Sequence, residues 1–275
     1  VSALDTPTIP AQVDDHAVPD GPVWLLRDVW TEATRHLIAT VRNPDLLVFA
    51  SIQPIMFVVL FVYVFGGAIR IPGFDNYEQF VVPGIFAQTI VFGSAFTGIG
   101  IAEDMQKGFI DRLRSLPMYP SAVLVGRTTS DLLRNAFTFV IMLVVGLLVG
   151  FRLRGGLVDS LLATLLLLSF AFAFSWIQAW IGLSVKSVEA ANSAGFMWMF
   201  PLTFISSAFV APETMPGWLQ PVAEANPFTL VTNATRALYN GLDPGADLWW
   251  SVLWAAGITV VFATVSFRKF SSTSR

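Results

Sequence analysis

Six stretches of this chain, near 46–66, 80–101, 128–150, 159–182, 195–211 and 248–267, are apolar almost without interruption. A bilayer core of about 30 Å is crossed by roughly 20 apolar residues in a helix, and backbone inside it must bond to itself. The expected fold is therefore all-α and integral to a membrane, with six transmembrane helices. The fourth run, SLLATLLLLSFAFAFSWIQAWIGL, is the clearest. The third is blurred at its start by Arg127, Asp131 and Arg134. We place these at the membrane boundary, where an Asp131–Arg134 pair at i,i+3 shares a helix face. Only 13% of the residues are charged, against about 25% in soluble domains.

Lys and Arg set the orientation. With the N-terminus inside, the inner segments hold Arg27, Arg35, Arg42, Lys107, Arg112, Arg114, Arg127, Arg134, Lys186, Arg268, Lys269 and Arg275; the outer ones hold only Arg70, Arg152, Arg154 and Arg236. Both termini are then cytoplasmic, and Trp249, Trp250 and Trp254 lie at the outer interface. Residues 1–21 are acidic, polar and Pro-rich, without the basic and apolar regions of a signal peptide, and read as a disordered cytoplasmic tail. The remainder, 22–275, reads as one transmembrane domain.

Two segments lie beside the spans. In PVWLLRDVWTEATRHLIATVRNP, Val23, Leu26, Trp30, Ala33, Leu37 and Val41 share one helical face and the charges lie opposite. This predicts an N-terminal amphipathic helix in the interface. Before the last run, APETMPGWLQPVAEANPFTLVTNATRALYNG is too polar to span and too apolar for an idle loop. It reads as outer re-entrant or surface-lying helices, with any backbone at membrane depth buried in protein.

Motifs for chemistry are missing. There is no GxxxxGK[ST], so the chain should not hydrolyse ATP itself, and no HExxH or GxSxG. No cysteine is present, and His16 and His36 stand alone outside the spans; no catalytic residue, metal or cofactor is expected in the chain. A net charge of −3 gives no reason for a nucleic-acid partner. Polar groups inside the spans are mainly the amides Gln53, Gln88 and Gln178. They either contact cargo or hydrogen-bond between helices. With Trp176 they form the candidate cargo path.

The charged exception is AEDMQKGFIDRLRSLPMYP, 102–120. Ala102, Met105, Phe109, Leu113 and Leu116 fall on one side of a helix, with Asp104, Lys107, Asp111 and Arg114 opposite. Pro117 and Pro120 end it. It is a short amphipathic helix on the cytoplasmic side, either resting on the interface or plugging into a partner.

This stretch, with ATVRNPDLLVFASIQPIMF before it and MPGWLQPVAEANPFTLVTNATRALYNG after, resembles the permease subunits of type-2 ATP-binding-cassette exporters, in particular the daunorubicin-resistance-like group. The resemblance implies that the segment after the second span is a coupling helix docking on a separate ATP-binding cassette subunit. Met105, Gly108, Phe109, Asp111, Arg112, Leu113 and Leu116 would form that contact. Phe109 and Ile110 replace the polar pair usual in the family's motif. Two permeases, the same chain or a related one, would pair with two cassettes, which hold the ATP and magnesium. The cargo expected is a hydrophobic drug, lipid or glycolipid exported across the bacterial cytoplasmic membrane. The competing readings are a polysaccharide-exporting permease, a membrane enzyme acting on lipid and a scaffold without turnover.

Overall fold

The computed structural model describes residues 44–68, 76–108 and 120–272, with positions 27, 29–31, 33, 34, 38, 71 and 74. All regular structure among them is helical. Helix α1 (Pro44–Val59) continues as a π-helical turn, Leu60–Phe65. Then follow α2 (Tyr77–Gly93), α3 (Ala95–Gln106), α4 (Pro120–Leu148), α5 (Gly156–Ser184) and α6 (Val188–Phe204). A 3₁₀ turn (Pro212–Thr214) leads to the short α7 (Gln220–Ala225), α8 (Pro227–Asn240) and the long α9 (Gly245–Ser272).

Four of the expected runs lie on helices long and apolar enough to cross a membrane: Tyr77–Gln106, Ala122–Leu148, Gly156–Ser184 and Gly245–Ser272. The first of these is interrupted at Ser94, which separates α2 from α3. The run at 46–66 lies on α1 and its π turn. The run at 195–211 differs from its helix: α6 starts earlier, at Val188, and ends at Phe204, and the chain then bends. Apolarity carries on through Ile205–Ala211, but the helix does not: the carbonyls of Leu202 and Ile205 at its end are taken by Asn226, the residue that caps the start of α8.

Helix α2 lies at the centre. Every residue from Gln79 to Phe92 is buried, as expected of a helix apolar on all sides. α9 buries only a narrow stripe, Ser251, Ala255, Ser266 and Phe270, and packs chiefly on α5. Exposed Leu, Val and Trp side chains cover the rest of α9 and the outward faces of α4 and α5. α5 and α3 touch backbone to backbone. A Cβ on Gly98 would lie 2.6 Å from the Gln178 carbonyl oxygen, and one on Gly182 would lie 2.4 Å from that of Gly98. Only glycine allows this approach, which is the usual device for bringing helices together where lipid supplies no hydrophobic drive.

The main core gathers around Phe86 of α2. Its ring meets Phe139 of α4, Phe151 of the α4–α5 turn and Tyr239 of α8 edge-on, at 5.3, 5.7 and 6.1 Å. A smaller cluster, including Ile101, Leu124, Trp176, Leu183 and Phe270, fills the end of the bundle near Lys107. Truncating a buried Phe costs about 3–5 kcal/mol. Phe86→Ala should therefore lower the thermal unfolding midpoint in detergent sharply, whereas Val260→Ala, at an exposed position on α9, should leave it nearly unchanged.

Candidate functional site

The two ends of the bundle differ in chemistry. At the Lys107 end, α3 runs out through Glu103, Asp104, Met105 and Gln106 to Lys107 and Gly108. Glu103 and Lys107 pair at 2.5 Å, i to i+4, in the open. The pairing raises the Lys107 ammonium's pKa, but exposed pairs add little stability. The short helix expected over Ala102–Leu116 does not start as a separate element: Ala102–Gln106 is the last part of α3, with Ala102 buried and Met105 packed on the smaller cluster, and Gly108 breaks the helix by turning the chain with φ +63°. Of the residues expected to meet a cassette, Phe109, Asp111, Arg112, Leu113 and Leu116 lie outside the described residues.

Just inside this end sits a charge network. Arg127 of α4 reaches Asp131 of its own helix (3.2 Å) and Asp104 of α3 (3.5 Å). Arg134 pairs with Asp131 at 3.0 Å, the expected i,i+3 contact. It also donates to the Gly93 carbonyl oxygen at 3.1 Å and stands over the Phe96 ring. The network thus joins α3, α4 and the α2–α3 interruption. Two cations face two anions, and Asp131 and Arg134 are buried. Gly100 leaves the room: a Cβ there would meet Arg127 Nη2 at 1.6 Å.

The expected cargo residues do not form one surface. Gln178 is fully buried and donates to the Gly195 carbonyl oxygen (3.3 Å) and Met199 Sδ (3.4 Å), tying α5 to α6. Gln88 is buried within α2, and Trp176 within the smaller cluster, edge-on to Phe267. Gln53 is exposed on α1.

Gln53 begins a pattern that the sequence reading passed over. At four-residue steps it is followed by Phe57, Phe61 and Phe65. On α6, Asn192 is followed at the same steps by Phe196, Phe200 and Phe204. Residues at i and i+4 share a helix face, so each helix carries an amide and then three rings. The two stripes meet at Phe209: Phe61 stacks on it at 4.6 Å and Phe204 at 5.3 Å. Phe92 of α2 joins at 5.7 Å from Phe196 and 5.1 Å from Phe200. The rings form one ladder whose members Phe65, Phe200 and Phe204 are 40%, 45% and 46% exposed. An exposed row of rings offers flat apolar faces to a flat apolar ligand.

The opposite, Trp249 end is polar inside. Arg236 of α8 is buried, donating from Nε to the Phe80 carbonyl oxygen (2.8 Å), from Nη1 to Asn233 Oδ1 (3.0 Å) and from Nη2 to the Ser207 carbonyl oxygen (2.6 Å). Its guanidinium lies 3.7 Å from the Phe80 ring centre.

Breaking a buried ion pair from one side costs about 3–5 kcal/mol, whereas replacing both partners by apolar side chains is often neutral. Asp131→Asn should therefore destabilise the protein by about 3 kcal/mol or more. The double variant Asp131→Leu/Arg134→Met should recover most of that loss. Thermal unfolding of the three proteins in one detergent decides it.

Comparison with known proteins gives concordant matches. The family model described as ABC-2 type transporter matches residues 27–240, which include both stripes, the charge network and α8. The daunorubicin resistance ABC transporter permease protein DrrB1 of Streptomyces coeruleorubidus is 35% identical over 240 residues, 87% of this chain and 84% of that one. The "Probable doxorubicin resistance ABC transporter permease protein DrrC" of Mycobacterium tuberculosis is 25% identical over 244 residues, 88% of each chain. The "Probable multidrug ABC transporter permease YbhR" of Escherichia coli K12 is 25% identical over 221 residues, 71% of this chain and 52% of that one.

Proposed function

The chain belongs to the ABC-2 type transporter family, and from that premise we propose how it serves as the permease subunit of an exporter. The cargo is a hydrophobic or amphiphilic molecule with a flat aromatic or ring-bearing face, taken along the two Phe stripes and released outward across the bacterial cytoplasmic membrane. The observation that carries this reading is the repeated pattern of an amide and three rings on α1 and α6, converging on Phe209. The names of the relatives, for resistance to daunorubicin and doxorubicin, support a drug as one such molecule.

Six spans serve this function: α1 with its π turn, α2 with α3, then α4, α5, α6 and α9. The tail expected over 1–21 and most of the interfacial segment expected from residue 22 lie outside the described residues. The Lys107 end faces the cytoplasm, as do both termini. α7 and α8 form re-entrant helices on the outer side. Two permeases, this chain and a copy or relative, enclose the path. Gln53 and Asn192 stand at its cytoplasmic entrance, where a cargo's polar group loses water last.

The energy comes from a separate cassette subunit that holds ATP and magnesium. The segment 102–116 docks into it through Met105, Gly108, Phe109, Leu113 and Leu116, with Asp111 and Arg112 at the rim. Motion of that segment reaches α4 through the Asp104–Arg127 contact. Cargo binds only where the rings are exposed, and cassette closure repositions the helices that carry them.

Two experiments test this. One ring contact is worth about 0.5–1.5 kcal/mol, roughly a two- to tenfold change in affinity. Phe200→Ala and Phe204→Ala should each raise the daunorubicin concentration that half-maximally stimulates ATP hydrolysis by the permease–cassette complex. Their drug-free hydrolysis should stay as it is. Equal stimulation in all three complexes would overturn the aromatic path. Burying a Phe or Leu is worth roughly 1.5–3 kcal/mol, so Phe109→Asp or Leu113→Asp should release the cassette on co-purification while the permease still inserts. Retention of the cassette by both variants would overturn the docking role of the segment after α3.

A further inference from the structure

At the Trp249 end a cavity of about 340 Å³ opens beside α8. Arg236 and Asn233 line its floor, Phe80 a wall, and Glu213, Glu224 and Asp247 also line it. Among the described residues its charges are unbalanced in a particular way. Arg236 is only 5% exposed, yet all three hydrogen-bond acceptors around it are neutral: two backbone carbonyls and an amide oxygen. A guanidinium has five N–H groups; described residues take three, which leaves one on Nη1 and one on Nη2. No carboxylate among the described residues pairs with it. Around it the carboxylates of Glu213, Glu224 and Asp247 make no ion pair or side-chain hydrogen bond with described residues either, and Glu213 and Glu224 are exposed.

A buried cation wants an anion, and one with two acceptor oxygens suits the fork of a guanidinium. A simple anion would be opposed by three negative charges at the mouth. A simple cation would leave the floor unanswered. A group carrying phosphate and ammonium a few bonds apart satisfies both. The level in the bilayer agrees: Asp247 is followed on α9 by Trp249 and Trp250, 73% and 53% exposed, and exposed Trp belongs at the headgroup level. The apolar lining from Ile71, Phe74 and Leu230 suits the glycerol and first acyl carbons below a headgroup.

We propose that this cavity is a binding site for a phosphoethanolamine headgroup of an outer-leaflet phospholipid. The phosphate lies on Arg236 and Asn233, and the ammonium among Glu213, Glu224 and Asp247. The assignment to the outer leaflet rests on the orientation proposed above; the choice of headgroup does not. Arg236 also holds α8 to α2, so its removal would mix binding with folding, and the carboxylates carry the test. The permease–cassette complex is placed in nanodiscs of equal parts phosphatidylethanolamine, phosphatidylglycerol and phosphatidylcholine, then released, and its retained lipids are counted by native mass spectrometry. Phosphatidylethanolamine should be retained at least fivefold over each of the others, and Glu224→Gln/Asp247→Asn should reduce that to twofold or less. Preference for phosphatidylglycerol, no preference at all, or an enrichment unchanged in the double variant would each overturn the site. Displacement of the lipid by soluble O-phosphoethanolamine at micromolar concentration would assign the same chemistry to a free headgroup and overturn the lipid source. Lipid retention is read without cargo or turnover, so a failed export assay and a failed lipid assay remain distinguishable.

Discussion

Backbone removed from water must find its partners inside the protein, and the end of α6 is where this chain meets that demand. Beyond Phe204 the helix stops, leaving carbonyls and amides without intrahelical partners. One face of α8 supplies them. Asn226 Nδ2 donates to the carbonyl oxygens of Leu202 (2.7 Å) and Ile205 (2.6 Å). Thr229 Oγ1 accepts from the Ser207 amide at 3.1 Å. Ser207 Oγ donates to Asn233 Oδ1 at 2.6 Å. Arg236 closes on the Ser207 and Phe80 carbonyls, and Asn240 Nδ2 donates to that of Gln79 at 3.2 Å. Positions 226, 229, 233, 236 and 240 fall on one helical stripe. α8 is thereby fixed to the frayed end of α6 and to α2 at once, and the cavity lies along this seam.

The same problem is met by the same means at the other end. α2 and α3 form one long apolar segment interrupted at Ser94. Arg134 takes the Gly93 carbonyl there, and Ser94 Oγ bonds back to Val91 O at 2.6 Å. In each case an Arg stacked on a Phe, Arg134 on Phe96 and Arg236 on Phe80, closes a discontinuity next to the most buried helix. The difference is in charge. Arg134 is balanced by Asp131, whereas among the described residues Arg236 meets neutral acceptors alone.

Much of this was written in the sequence as apolar length. The run at 159–182 lies wholly inside α5, and the run at 80–101 inside the Tyr77–Gln106 segment. The Asp131–Arg134 pair followed from spacing alone. What escaped did so for physical reasons. Hydropathy cannot register where α6 ends, since Ile205, Phe209 and Val210 are as apolar as the helix before them; the stop is set by donors twenty or more residues later. The Phe stripes were hidden because apolar side chains lie on several faces of α1 and α6, so the usual contrast between an apolar and a polar face is weak. For Gln88 and Gln178 the sequence gives polarity but not direction, and both side chains are buried. Gln53 is exposed, on the stripe that leads to the rings. Of the segment expected to dock on the cassette, Met105 and Gly108 are placed, while Phe109 to Leu116 lie outside the described residues.

These contacts also form a continuous line through the protein. Asp104, at the end of α3, touches Arg127; Arg127 touches Asp131; Asp131 holds Arg134; and Arg134 holds the Gly93 carbonyl. The residue before Gly93 is Phe92, whose ring rests on Phe196 and Phe200 of the ladder. A line of contacts transmits nothing by itself; it needs an element with two arrangements. The α2–α3 interruption is the element most suited to that, because the helix there is already divided and Ser94 bridges it. A shift of Asp104 would pull on the part-buried Arg127 and through it on the buried Asp131–Arg134 pair, whose charges do not part cheaply, and it would arrive beside the ring that joins α2 to the ladder. On this geometry, the charge network of Asp104, Arg127, Asp131 and Arg134 lies between the end expected to receive the cassette and the surface expected to hold the cargo.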